Sequence, residues 1–227
     1  MQTFRFDHIP GPFLVSHTVF HDKRGLFLEK YKDSLLKEMG VEGFVQVNHS
    51  RSKPKVIRGL HYQHSPEQGK FVSVIKGDIW DVILDLRVGS PSFGTYLGWP
   101  LNESISMWVP PGFAHGFCVL GSEPADVVYS VTATWNQDGE SGIRWNTPYA
   151  AKDKDGQIVE VDPEVMIKPI MGSCVLPKGA QVNRDPVKVG PLIRYWPVDD
   201  PIVSGKDAEL PSLADYMRSP VFKYDAA

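Results

Sequence analysis

Cysteine and long apolar runs are both scarce in this chain of 227 residues. Its two cysteines, Cys118 and Cys174, stand far apart and form no C-x-x-C pair. Free cysteine is commonly buried as a small apolar residue, and a chain of this length can bury a core that needs no covalent staple. Both cysteines are therefore read as core residues rather than as a disulfide or a nucleophile. No apolar run approaches the ~20 residues needed to span a bilayer, so no membrane span is expected. The opening Met1-Gln2-Thr3-Phe4-Arg5-Phe6-Asp7-His8 lacks the charged-then-apolar pattern of a signal peptide, which makes the cytoplasm the expected location. Basic residues are not in excess: the net charge is −3. Nucleic-acid binding usually needs a basic patch and is not expected. A small anionic substrate remains compatible, because local arginines decide that. With 42% hydrophobic and 22% charged residues, the composition is that of an ordinary globular protein.

Helix signals are few. Asp33 to Gly40 offers an Asp or Ser cap, apolar residues at adjacent-turn spacing and a terminal glycine, which predicts one short helix. Pro211 to Met217 predicts a second, with Ser or Pro at its start. The remainder punctuates as β structure, in short apolar segments separated by Gly, Pro, Asn and Asp. Phe71–Ile75 and Ile79–Leu86 flank Lys76-Gly77-Asp78, a hairpin connection whose glycine is free to take positive φ. Thr95–Trp99, Ser104–Val109, Gly116–Leu120 and Asp126–Thr134 read as further strands. Closely spaced strands with tight turns predict a sandwich, jelly roll or barrel. Residues 150–194, rich in Pro, Gly, Lys and Asp, read as an insertion into one domain spanning 1–227, in the form of a small hairpin arm.

The densest chemistry lies in Arg58-Gly59-Leu60-His61-Tyr62-Gln63, with Lys70 nine residues past the histidine. Histidine titrates near neutral pH, and a nearby lysine can hold the charge that a departing proton leaves on oxygen. That combination suits proton removal from carbon beside a carbonyl. A second dense stretch, Trp108 to Phe117, carries Pro110-Pro111-Gly112 and His115. His61, His64, Glu67 and His115 invite a metal site, but residues three apart in an extended strand point their rings to opposite faces, and His64 reads better as a solvated loop residue. His61 and His115 could each be a hydrogen-bonded barrel histidine. The polar company of His61 favours a ligand pocket, since polar groups projecting into a β core need partners. Gln46, Asn48 and Ser50 alternate onto one face, which fits either a solvated side or a pocket lining. Arg24 and Phe27 flank a glycine turn. Tyr129 and Asp207 alone read as core packing and as a cap or solvated loop residue.

Several fragments, in order, resemble the dTDP-4-dehydrorhamnose 3,5-epimerase family. They are Asp22-x-Arg24-Gly25-x-Phe27-x-Glu29, Gln46-x-Asn48-x-Ser50, Arg58 to Gln63, and Gly77-x-x-x-Asp81-Val82-x-x-Asp85-x-Arg87. Gly89-Ser90-Pro91 and Pro110 to Phe117 continue the order, and Ser204-Gly205-Lys206-Asp207 resembles the family's C-terminal Lys-Asp signature. The resemblance implies an all-β, cupin-type jelly-roll barrel, a homodimer, no metal and no cofactor. It implies a nucleotide-linked 4-keto-6-deoxy sugar as substrate, epimerised at C3 and/or C5 through an enolate, with dTDP-4-dehydro-6-deoxy-D-glucose converted to dTDP-4-dehydro-L-rhamnose. Carried onto this chain, it makes His61 the base, Asp207 its orienting carboxylate, Lys70 the group near the enolate oxygen and Tyr129 the acid on the opposite face. Arg24, Phe27, Glu29, Gln46, Asn48, Arg58 and His115 would bind nucleotide, diphosphate or sugar, some reaching across the dimer interface.

The residue chemistry agrees with that assignment. A ketone at C4 acidifies the hydrogens at both C3 and C5, and tyrosine, with a reference pKa near 10, stays protonated and ready to donate. Guanidinium groups match diphosphate oxygens, which suits Arg24 and Arg58, and Phe27 can stack on the base. Trp135 stands where the family usually has a second tyrosine, at a position the resemblance turns toward the sugar; the set of epimerised carbons hinges on it. Beyond Pro148, about forty residues intervene before Leu192 to Pro197, which is similar to the family's Trp-Pro ending. Epimerisation at one carbon only, a metal-dependent cupin enzyme and a sugar-nucleotide binding protein are the competing readings.

Overall fold

The computed structural model describes residues 1–152, 154–161 and 196–225. The punctuated apolar runs fold into two antiparallel sheets. One has six strands in the order β1 (Gln2–Arg5), β2 (Phe13–Ser16), β10 (Ile105–Val109), β7 (Lys70–Lys76), β12 (Ala125–Val131) and β5 (Gln46–Ser52). The other has five, in the order β13 (Glu140–Gly142), β6 (Ile57–Gln63), β11 (Phe113–Val119), β8 (Ile79–Asp85) and β9 (Tyr96–Leu101). From β5 onward the chain passes repeatedly from one sheet to the other, as in a jelly roll. The all-β barrel expected from the sequence is the fold observed.

Apolar residues on the facing sides of both sheets close one core. Val72, Val74, Met107 and Val127 of the six-stranded sheet meet Ile79, Ile83, Phe113 and Phe117 of the other. Part of each outer face is also covered. Trp196, Leu213, Tyr216 and Phe222 pack over Leu60, Tyr62, Val82 and Leu84, while Leu36 and Val41 cover Phe13, Val15, Phe71 and Trp108. Every residue of β11 is consequently buried, and that strand shows no polar-apolar alternation, its run being interrupted only by His115.

Helices are short. α1 (Asp33–Glu38) lies where the sequence predicts it, but its cap is Lys32, with no side-chain cap bond, rather than Asp33 or Ser34. The Asp33 carboxylate is drawn instead to Tyr31 Oη at 2.9 Å and Lys37 Nζ at 2.8 Å. α3 (Leu213–Arg218) starts at Ser212, whose hydroxyl forms a capping box with Asp215. A single turn, α2 (Gly205–Ala208), occupies what reads in sequence as a loop; the Ser204 hydroxyl caps it by accepting from Asp207 N–H.

Two small hairpins stand apart from the barrel. β3 (Phe20–Asp22) and β4 (Gly25–Phe27) form one, and β14 (Tyr149–Lys152) and β15 (Ile158–Val161), which α3 contacts, form the other. The second opens the span read as an insertion; residues 162–194 of that span, and Cys174 with them, lie outside the described residues. Cys118 is a buried free thiol, its pKa pushed by burial to about 12.

Two glycines let β6 and β11 approach closely. A Cβ on Gly116 would lie 2.5 Å from Arg58 O, and one on Gly59 would lie 2.6 Å from Gly116 Cα. Gly59 also has φ of 118°, a conformation L side chains rarely adopt. A bulge falls at this contact, between His115 and Phe117, and leaves His115 directly opposite His61.

At the far end of β8, Asp85 is fully buried. It accepts from the Arg87 guanidinium at 2.9 and 2.8 Å and from the Ser90 and Ser92 hydroxyls at 2.6 Å each. Burial opposes ionisation of this carboxyl, yet Arg87 and the two serines hold its pKa below the ordinary value. The Arg87 guanidinium is also 4.3 Å from the Phe113 ring centroid and donates to Pro10 O at 2.8 Å. Asp85→Ala leaves this cation without its partner, so a destabilisation of about 3–5 kcal/mol is expected. Urea denaturation measures it, and a loss below about 1 kcal/mol, the scale of a surface pair, would contradict the role given to the network.

Candidate active site

One end of the barrel interior is polar and opens into a cavity of about 620 Å³. Both sheets contribute to it. From the six-stranded sheet, β5 presents Gln46 and Asn48, β7 presents Lys70 and β12 presents Tyr129; from the five-stranded sheet, β6 presents Arg58 and His61, β11 His115 and β13 Glu140. Alternation along β5 turns Gln46 and Asn48 inward together. Trp135 lies at the mouth, and α2 supplies Lys206 and Asp207.

His61 Nε2 is 2.7 Å from Asp207 Oδ1. A carboxylate only accepts, so Nε2 carries the proton and Nδ1 is left as the basic nitrogen of the neutral ring. Asp207 Oδ2 accepts from Gly59 N–H at 3.2 Å. Burial works against the charge on Asp207, but hydrogen bonding to His61, the charge of His61 and the donors at Gly59 and Ser204 outweigh it and hold the carboxyl below its usual pKa. The Asp207 carboxylate therefore stays ionised through the neutral range.

Lys70 is 9% exposed and donates to His61 O at 3.0 Å. Burial lowers its pKa to about 8, against the opposing charges of Glu140 and Asp81. Tyr129 is shifted the other way: burial raises its pKa, Arg58 resists, and Glu140 adds to the rise. At neutral pH it is therefore a protonated phenol.

Trp135 is 54% exposed. Its backbone N–H donates to Gln46 Oε1 at 3.0 Å, and Gln46 in turn donates to Asn48 Oδ1 at 2.8 Å. Gln63 anchors the loop that carries it, donating to Pro66 O and Thr134 O and accepting from Asn136 N–H. The Glu140 carboxylate takes the Lys206 ammonium at 2.7 Å and a hydrogen bond from the Trp135 side chain; these and the charges of Lys206 and His61 overcome burial and lower its pKa.

The family model for dTDP-4-dehydrorhamnose 3,5-epimerase matches residues 7–215. The chain belongs to that family. It is 46% identical over 143 residues to the dTDP-4-dehydrorhamnose 3,5-epimerase of Neisseria gonorrhoeae, a match covering 62% of this chain and 43% of that protein. The enzyme of the same name from Pseudomonas aeruginosa is 46% identical over 144 residues, with 62% of this chain and 79% of that protein covered. Among solved structures, the Legionella pneumophila epimerase in complex with dTDP-4-keto-L-rhamnose has a TM-score of 0.73 at 29% identity, covering 99% of this chain and all of that one. The Bacillus anthracis dTDP-4-dehydrorhamnose 3,5-epimerase, with TDP and PPi bound, has a TM-score of 0.64 at 35% identity, covering 89% and 94%.

In this member of the dTDP-4-dehydrorhamnose 3,5-epimerase family, His61, Lys70, Tyr129 and Asp207 share one cavity, with Gln46, Asn48, Arg58, His115 and Trp135 around them. Arg24, Phe27 and Glu29 do not line it. Arg24 is paired with Asp22 on the exposed β3–β4 hairpin, and the Phe27 ring is 67% exposed. Sequence reading missed Glu140 and Lys206 as lining residues. Lys206 had a cue in its position beside Asp207. Glu140 had none, because only the pairing of Glu140 with Gln63 across β13 and β6 turns it inward. Among the described residues no group of three His, Cys, Asp or Glu side chains could hold a metal ion, and no helix is long and apolar enough to cross a membrane.

A lysine with a lowered folded pKa is penalised wherever both states are protonated, below about pH 8, and the penalty fades as the pH rises toward the unfolded value near 10.5. Lys70→Met, which keeps the unbranched stem, is therefore expected to raise stability by on the order of 1–3 kcal/mol at neutral pH. That gain should shrink steadily through the alkaline range. Urea denaturation at several pH values measures it, and a variant less stable than the parent at neutral pH would contradict the burial cost assigned to this ammonium.

Proposed function

We propose that this protein epimerises a nucleotide-linked 4-keto-6-deoxy sugar at C3 and C5, converting dTDP-4-dehydro-6-deoxy-D-glucose to dTDP-4-dehydro-L-rhamnose. The observation that carries this reading is that His61 and Tyr129 stand on opposite walls of one cavity. His61 projects from one sheet, backed by Asp207, and Tyr129 projects from the other. A sugar ring held between them meets a base on one face and a phenol on the other.

The C4 carbonyl acidifies the protons at both flanking carbons. His61 Nδ1 removes one of them, and the Asp207 carboxylate stabilises the imidazolium that results. The Lys70 ammonium faces the charge that develops on the C4 oxygen and lowers the energy of the enolate. Tyr129 then delivers a proton to the opposite face and inverts the centre. Arg58, held through Nε to the Ser52 hydroxyl at 2.8 Å, is placed for the diphosphate. Glu140 and Lys206, already paired, can bond sugar hydroxyls from the rim.

Arg24, Phe27 and Glu29 take part, in this reading, through a second copy of the chain. Phe20 and Phe27 form a tilted ring pair on the β3–β4 hairpin with both rings exposed, and a hairpin of this kind can close over a neighbouring cavity. Light scattering is expected to give a dimer mass, which Phe27→Asp should reduce while also weakening dTDP binding. A monomeric parent protein that still binds dTDP through Phe27 would refute the exchange.

Solvent deuterium should enter dTDP-4-keto-6-deoxyglucose at C3 and C5, and NMR locates each site. His61→Ala is expected to abolish exchange at both carbons, a loss of about 10³-fold or more. Tyr129→Phe should retain proton removal but slow inversion by a larger factor. Equal loss of both steps would reject Tyr129 as the acid, exchange at one carbon would assign a single-carbon epimerase, and no exchange by the parent protein would reject the proposed function.

A further inference from the structure

A second histidine–carboxylate pair lies beside the one assigned to catalysis. His115 Nε2 is 2.7 Å from Asp81 Oδ2, and His115 sits directly across from His61 in the β6–β11 ladder. Asp81 comes from β8, opposite Phe117 of β11, so its side chain shares the face of His115 two residues along. Asp81 itself is fully buried and does not line the cavity, whereas His115 does. The other carboxylate oxygen, Asp81 Oδ1, is buried without a hydrogen-bond partner among the described residues.

A buried carboxylate with one uncompensated oxygen acts strongly on its neighbours, because little water screens it. Two consequences follow for the cavity. As an acceptor only, Asp81 requires Nε2 of His115 to carry a proton, which leaves Nδ1 as the acceptor of the neutral ring. Its charge also favours the ammonium form of Lys70, against the burial that lowers the lysine's pKa. Within the cavity Lys70 of β7 has around it Glu140 of β13, with Lys206 of α2 behind it, His61 and Arg58 of β6, His115 of β11, Tyr129 of β12 and Asp207 of α2. Glu140 and Asp81 are the carboxylates that favour the Lys70 cation. Glu140 already holds Lys206 and the Trp135 side chain, while Asp81 has one oxygen without a hydrogen-bond partner among the described residues.

We infer that Asp81 is a positioning residue for the epimerisation: from beneath the cavity floor it fixes the His115 ring and supplies the counter-charge that keeps Lys70 an ammonium ion. The inference rests on the function proposed above, because the ammonium is needed where an enolate forms. It adds a residue that touches neither substrate nor reacting atoms.

Asp81→Asn keeps the shape and removes the charge. Solvent deuterium exchange into dTDP-4-keto-6-deoxyglucose is followed for the parent and the variant from about pH 6 to about pH 10, a range that spans the lysine titration. In the variant the alkaline fall in rate should move to lower pH by roughly half to one unit, so that exchange drops several-fold near pH 8 and recovers on acidification. A uniform loss at every pH would overturn the proposal, leaving Asp81 a structural residue. Direct NMR titration of the Lys70 side chain in both proteins keeps the test separate from the proposed function. If the parent shows no exchange, a downward move of the Lys70 midpoint still supports the counter-charge, and an unmoved midpoint rejects it. If the variant does not fold, nitrogen NMR of the parent decides, since a neutral His115 protonated on Nδ1 would overturn the inference.

Discussion

The close contact of β6 with β11 is the constraint on which the site depends. Gly59 and Gly116 meet where neither can carry a side chain, and the bulge beside them sets His115 opposite His61. Without that approach the two strands would stand further apart and the ladder would place different residues across from each other. The same contact explains why each dense motif carries a glycine near its histidine. Gly59 lies two residues before His61, and Gly116 directly follows His115. In both motifs the glycine makes room, and the histidine beside it gains a fixed place.

A barrel that is apolar at one end and ionic at the other gives up stability for that polarity. Val72, Val74, Ile83 and Phe117 form an ordinary core, each fully buried aliphatic or aromatic side chain being worth about 1.5–3 kcal/mol. A little further along the same strands stand Lys70 on β7 and Asp81 on β8, both buried and charged. Their charges are unfavourable to bury and tolerable only in mutual company. Lys70 is the clearest case, since its lowered pKa is the thermodynamic signature of that cost. Asp85 on the same strand as Asp81 shows the contrasting solution, with Arg87 and two serine hydroxyls on its oxygens. A fully satisfied carboxylate stabilises a loop; one left partly unsatisfied can act on a neighbouring cation.

Much of the fold was legible because turn residues bracket nearly every strand. Lys76-Gly77-Asp78 marked the β7–β8 hairpin, and Gly77 does take positive φ, at 84°. α3 was readable from Ser212 and its following residues, while the cap of α1 was misplaced because Asp33 spends its carboxylate on Tyr31 and Lys37 rather than on backbone N–H groups. α2 escaped because one turn has no periodicity to detect. For the site, the Arg58 to Gln63 run and Lys70 identified themselves by density. Asp207 and Tyr129 could be singled out only through the family resemblance, since each is ordinary in isolation. Glu140 and Asp81 owe their places to strand register, a property of pairing that no local stretch of residues encodes.

The two histidine pairs differ in what holds their carboxylates, and the difference suits their places. Asp81 sits within a central strand of its sheet, packed on both sides, and can move little. Asp207 is carried on a single helical turn outside the sheets, capped by Ser204, and comes from the far end of the chain. One of its oxygens takes the His61 ring; the other takes Gly59 N–H. The same carboxylate thus fastens the ring of the base and the backbone at the glycine contact that aligns it. Orientation of the imidazole and anchoring of the backbone at Gly59 share one carboxylate, so a change at Asp207 loosens both together. A change at Asp81 leaves the Gly59 bond intact and alters the hold on the His115 ring and the charge beneath the cavity.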